Sequence, residues 1–177
     1  MHHFDTGAVV CFERQILLSA YESSPDGRIL AIGHSDLGLR QNAIELIDVG
    51  SGQSLGILPV KTNQPNLLRF SEDGLRIAVG LSGELQVWDV ATQTRVATIG
   101  DFVAHVVSLA LSPTGDVVAA WSRGKEISLW NVESREELAV IELDPQIRDM
   151  TFSPDGRSLT VVDRSGRLTV WDVQDLR

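Results

Sequence analysis

Cysteine occurs once in the 177 residues, at Cys11. No intrachain disulfide framework or cysteine-based zinc site can be built from it, and a reducing compartment fits. Aromatic residues are few, at 6% of the chain, so aliphatic and small side chains must fill the core. Positive charge is also short: 15 Lys and Arg face 24 Asp and Glu, a formal net charge of −9. A field of that sign repels phosphate backbones and anionic membranes, which disfavours nucleic-acid binding. No apolar run approaches the roughly 18 residues of a membrane-spanning helix. The first residues include Asp5 and Glu13 and lack the basic and apolar regions of a signal peptide. A cytoplasmic protein with no membrane association is the expectation.

Chemical motifs are similarly sparse. P-loop, Gly-x-Gly-x-x-Gly and His-Glu-x-x-His patterns do not occur. Asp-Gly turns are present, but without the acidic ladder of a calcium loop. His2 and His3 are terminal, and His34 and His105 have no cysteine or carboxylate at ligand spacing. All are expected to be surface or hydrogen-bonded histidines. No enzymatic activity, cofactor or metal is expected.

What recurs is a turn. Ser24-Pro25-Asp26-Gly27, Ser71-Glu72-Asp73-Gly74, Ser112-Pro113-Thr114-Gly115 and Ser153-Pro154-Asp155-Gly156 share one pattern. Each is followed by a β-rich stretch and a corner: Ile47-Asp48, Trp88-Asp89, Trp130-Asn131 and Trp171-Asp172. The corners recur 41, 42 and 41 residues apart. A period of roughly 40–45 residues ending in Trp-Asp is the mark of four-stranded propeller blades. In the third repeat strand A is Val106–Leu111, and the turn follows, with proline presetting φ and glycine accepting a positive one. Strand B is Val117–Trp121, strand C is Glu126–Trp130 with alternating burial, and strand D lies around Leu138–Ile141. Strand A elsewhere is placed at Ile16–Tyr21, Leu67–Phe70 and Ile147–Phe152, and strand C at Ala43–Ile47, Leu85–Trp88 and Leu168–Trp171. No useful helical period appears. The fold class is all-β, a β-propeller of four-stranded antiparallel blades with four blades in this chain.

On these residues the chain resembles the WD-repeat β-propeller family over essentially its whole length. Turn and corner recurring in register make the resemblance specific. Many members of that family open a repeat with Gly-His and place an Asp six residues before the Trp. Here Phe102 and Leu143 stand at the histidine positions of the last two repeats, and Ser82, Gly124 and Ser165 at the aspartates. The resemblance therefore implies a fold without the family's buried Asp-His-Ser/Thr-Trp network, resting on packing instead. Trp88, Trp130 and Trp171 are expected between blades. Trp121, ending strand B beside a loop, is expected to be the more exposed.

The whole of 1–177 reads as a single domain. Residues 16–58 form the first blade, 66–99 the second, 106–142 the third and 147–172 the fourth, which lacks its own outer strand. Residues 1–13 resemble a spare closing strand, expected to pair with Leu168–Trp171 within the chain or across a dimer. An exposed, weakly charged edge favours such pairing. Three arrangements fit four blades: part of a longer propeller, half of an eight-bladed dimeric ring, or a ring closed alone.

The function read from this is a non-catalytic protein–protein interaction scaffold. The alternative is an accessory sensor or gating propeller of a larger enzyme or signalling protein. In the family the D-to-A and B-to-C connections often dock proteins or peptides. Arg40, Phe102, Trp121, Arg123 and Arg164 lie there and are of the types enriched at binding hot spots. A homodimer through the open blade edge is a second expected contact. Inward-facing strand A residues are expected to offer few polar groups for a ligand at the axis.

Overall fold

The computed structural model describes residues 16–36, 41–60, 64–122, 126–143 and 147–174. Fifteen strands form among them. The first sheet contains β1 (Ile16–Ser23), β2 (Ile29–Asp36), β3 (Gln41–Asp48) and β4 (Ser54–Val60). The second contains β5 (Leu67–Phe70), β6 (Arg76–Gly80), β7 (Ser82–Asp89) and β8 (Arg95–His105). The third has β9 (Ser108–Leu111), β10 (Val117–Trp121), β11 (Glu126–Asn131) and β12 (Glu137–Glu142). The fourth has β13 (Ile147–Phe152), β14 (Ser158–Asp163) and β15 (Leu168–Asp172). Each sheet is an antiparallel meander in chain order, three of four strands and the last of three. These are propeller blades, with β1, β5, β9 and β13 successive inner strands.

The repeated turn explains why the hairpins form where they do. In the first blade the Ser24 hydroxyl donates to Asp26 at 2.7 Å and accepts the Ile29 amide at 2.9 Å. The Gly27 amide donates to the Ser24 carbonyl at 2.9 Å. Ser71 with Asp73 and Ser153 with Asp155 repeat this at 2.6 Å each. In the third blade, where Thr114 replaces the aspartate, Ser112 turns to Asp116. Gly27, Gly74, Gly115 and Gly156 all take positive φ, between 67° and 71°, as the turn requires. The corner Asp and Asn side chains close the next hairpin. Asp48 accepts from the Ser51 amide and hydroxyl, Asp89 from those of Thr92, and Asn131 from the amides of Glu133 and Ser134. The turn serines are therefore structural.

Strand alternation gives every blade two faces, and the core lies between blades. Ala31, Ile44, Leu46 and Leu58 on the trailing face of the first blade meet Leu68, Ile77, Val79 and Trp88 on the leading face of the second. Val87, Leu85 and Ala97 meet Leu109, Val118 and Trp130 at the next contact. Ala119, Ile127 and Leu129 meet Met150, Leu159 and Val161 at the last. Polar ties span the same seams: Asn66 Nδ2 donates to the Val106 carbonyl at 2.7 Å, and Arg76 Nη1 to the Gly115 carbonyl at 2.9 Å.

Three expectations change. Trp121 is buried, not the more exposed tryptophan; strand β10 is central in its blade and carries the indole into the seam with the fourth. Trp88 is equally buried, whereas Trp130 and Trp171 are only half-buried. The D-to-A connection expected to hold Phe102 is strand, because β8 runs on past an irregularity until His105 pairs with Ser82. Finally, of the three arrangements, closure alone loses its support: among the described residues Leu18 and Tyr21 of the first blade and Leu168 and Val170 of the fourth stay exposed, so these blades do not bury one another there. The closing strand expected at 1–13 lies outside the described residues.

The turns make a sharp comparison. A Cβ on Gly27 would meet nothing within 4 Å, whereas one on Gly115 would sit 2.8 Å from Arg76 Cδ. Both Gly→Ala changes incur the left-handed strain, about 1–2 kcal/mol. Only Gly115→Ala also displaces the arginine that ties two blades, so it should cost clearly more in chemical denaturation. Equal costs would refute this account of the seam.

Candidate interaction surface

The meander places the A-to-B and C-to-D turns at one end of the blades and the B-to-C and D-to-A connections at the other. At the first end the recurrent serine, aspartate and asparagine side chains are engaged by the turns themselves. Hydrogen bonds from Ser24 hold the Asp26 carboxyl below its ordinary range, and those from Ser51, Thr92 and Ser153 do the same for Asp48, Asp89 and Asp155. The opposite end is less committed. Asp163 accepts from the Ser165 hydroxyl at 2.6 Å and from the Arg167 amide at 2.9 Å, which shapes the turn and lowers its carboxyl. Arg164, at the tip of that turn, is exposed and makes no hydrogen bond or ion pair among the described residues.

The sequence-derived candidates are dispersed. Phe102 is half-buried and packs against the core between the second and third blades. Trp121 lies inside the seam with the fourth blade, so its ring is not a free surface. Arg164 stands in solvent on the fourth blade. Arg40 and Arg123 fall outside the described residues. His34 is neither exposed nor fully satisfied: it is buried, and its Nδ1 has no hydrogen-bond partner.

Sequence reasoning missed two features. Gly52-Gln53-Ser54-Leu55-Gly56 has the Gly-x-Ser-x-Gly spacing of a hydrolase nucleophile. Ser54, however, opens strand β4 opposite Ile47, not the strand-to-helix elbow which that chemistry needs. The second is a charged cluster on the inner strands, where few polar groups were expected. Arg69 of β5 reaches Glu22 of β1 at 3.4 Å and Asp149 of β13 at 3.7 Å, linking three blades. Glu22 and Arg69 each stand two residues before their turn serine, so opposite charges in one register position were the legible signal.

Residues 139–172 match the family model described as "WD domain, G-beta repeat". Over 162 residues the chain is 30% identical to "Protein LST8 homolog" of Drosophila melanogaster, covering 88% of this chain and 50% of that protein. The chain belongs to the WD-repeat family. It is also 29% identical over 157 residues to "WD repeat and SOCS box-containing protein 1" of Xenopus tropicalis, covering 79% of this chain and 36% of the relative. The chain thus spans about half the length of the LST8 relatives, at 50% and 49%. As a WD-repeat protein it lacks the pre-Trp aspartate and improvises. Trp88 Nε1 donates to Gln86 Oε1 at 3.1 Å, and Gln86 in turn donates to Glu84 at 2.8 Å. The buried Nε1 atoms of Trp130 and Trp171 have no acceptor. No helix among the described residues is long and apolar enough to cross a membrane.

Burial pushes the Glu22 carboxyl above its ordinary 4.5; Arg69 draws it down and Asp149 pushes it further up. The folded state therefore holds this proton more tightly than the unfolded chain. That contribution is complete below 4.5 and is lost as pH rises through the raised value. Glu22→Gln removes the dependence, so urea unfolding should show the variant gaining stability relative to wild type between about pH 4 and pH 7. A relative loss over that interval would show that the Arg69 contact outweighs burial.

Proposed function

We propose that the chain is a protein-interaction scaffold that presents the B-to-C and D-to-A end of its blades to a peptide segment of a partner. The observation that carries this is the contrast between the two ends. Turn serines and corner carboxylates seal one end with their own hydrogen bonds. Arg164 stands uncommitted at the other. A rigid framework that leaves its free chemistry in connecting loops is the usual setting for recognition. The B-to-C connections also hold Arg40, Arg123 and Lys125, so a carboxylate-bearing peptide with an apolar anchor beside Phe102 is the favoured ligand.

Selection of peptides from a displayed random library, followed by titration, tests this. Arg164→Glu should weaken the selected binders by at least about tenfold, in line with a hot-spot arginine. Glu72→Lys, on the exposed turn at the sealed end, should leave them unchanged. The reverse pattern would assign recognition to the other end.

A further inference from the structure

Equivalent positions in the four blades have opposite fates. Ile44, Leu85 and Ile127 stand three residues before their corners and are each 0% exposed, whereas Leu168 is 61% exposed. Leu46, Val87 and Leu129, one residue before, are 1%, 0% and 0% exposed; Val170 is 58%. The buried members pack against the blade that follows. At the other end of the array, Leu68, Leu109 and Met150 stand three residues before their turn serines, 1%, 0% and 3% exposed against the preceding blade. Tyr21 occupies that position in the first blade at 69%, and Leu18 beside it is 55% exposed. His34, Glu45 and Ile47 share the face of Tyr21 and are already buried, so the open part of that face is its inner strand.

We infer that the trailing face of the fourth blade, at Leu168 and Val170, binds the leading face of the first blade, at Tyr21 and Leu18, of a second copy of the chain. The warrant is continuity with the seams inside one copy. The first seam already brings Ile44 and Leu46 against Leu68, the same strand positions on the same faces. A fourth seam of that kind, confined on its leading side to the inner strand, needs an open inner strand on a leading face, and β1 supplies one. The two patches do not meet within one copy, where Tyr21 and Leu18, like Leu168 and Val170, stay exposed. Two copies related by a two-fold axis satisfy both faces at once, with each contact made twice. The product has eight blades, within the roughly 4 to 8 of propellers. The contact is between faces and does not require the edge of β15 to be paired.

Light scattering on the full chain at tens of micromolar tests the proposal. The expected mass is near twice the 19.3 kDa of one chain. Leu168→Glu with Val170→Glu should give a monomer with an unaltered β-type circular dichroism spectrum, and so should Tyr21→Glu with Leu18→Glu. An equimolar mixture of the two variants should recover a dimer, because one intact trailing face then meets one intact leading face. Should either variant fail to fold, Val170→Thr with Leu168→Gln should weaken association at least tenfold. A wild-type monomer overturns the proposal and leaves the faces to blades outside this chain. A dimer indifferent to the folded variants overturns it equally, and a mixture that stays monomeric overturns the head-to-tail arrangement.

Discussion

A four-stranded sheet with apolar residues on both faces cannot bury either face by itself. Everything else in this structure follows from that. Ile44, Leu85, Ile127 and their neighbours are buried only because another blade lies against them. Fully burying one such side chain is worth about 1.5–3 kcal/mol. A neutral hydrogen bond across a seam, such as that from Asn66 to the Val106 carbonyl, contributes on the order of 0.5–1.5 kcal/mol net. A partly exposed ion pair such as Arg69–Glu22 contributes about 0–1 kcal/mol. Blade-to-blade burial therefore holds the array, and the polar contacts set its register. The same argument makes the ends of the array its most reactive surfaces.

The turns answer a different need. A short hairpin leaves backbone amides without sheet partners, and the serine and aspartate side chains supply them. Because the same solution recurs at every A-to-B turn and nearly every corner, that end of the molecule commits its recurrent serine, aspartate and asparagine side chains to its own turns. Asymmetry between the two ends thus comes from how the hairpins are closed, not from any separate binding module.

Much of the fold was legible because its signals are local. Ser-x-x-Gly, a positive-φ glycine and a corner Asp or Asn act within a few residues, so spacing alone placed the four blades and their hairpins. The seams were less legible. Trp121 read as loop-adjacent and proved buried because the adjoining blade, more than twenty residues away in sequence, covers it. The extension of β8 to His105 depends on pairing with Ser82, which no turn signal announces. The candidate site fared worst. Exposure of Arg164 could be anticipated from its turn, but Phe102 is half sheltered by packing. The charged cluster of Glu22, Arg69 and Asp149 arises from inner strands brought together by the packing of the blades, and composition counts cannot show which strands meet.

The two unpaired indoles bear on how the molecule breathes. Trp88 is tied through Gln86 to Glu84, so its corner has a polar anchor inside the sheet. Trp130 and Trp171 bury their N–H groups with nothing to accept them. A buried donor left unsatisfied forfeits about 1–3 kcal/mol, which returns as soon as water reaches it. Local opening near those two corners is therefore cheaper than near Trp88. Amide hydrogen exchange in β11 and β15 should outrun that in β7, and the array should loosen from its fourth blade inward.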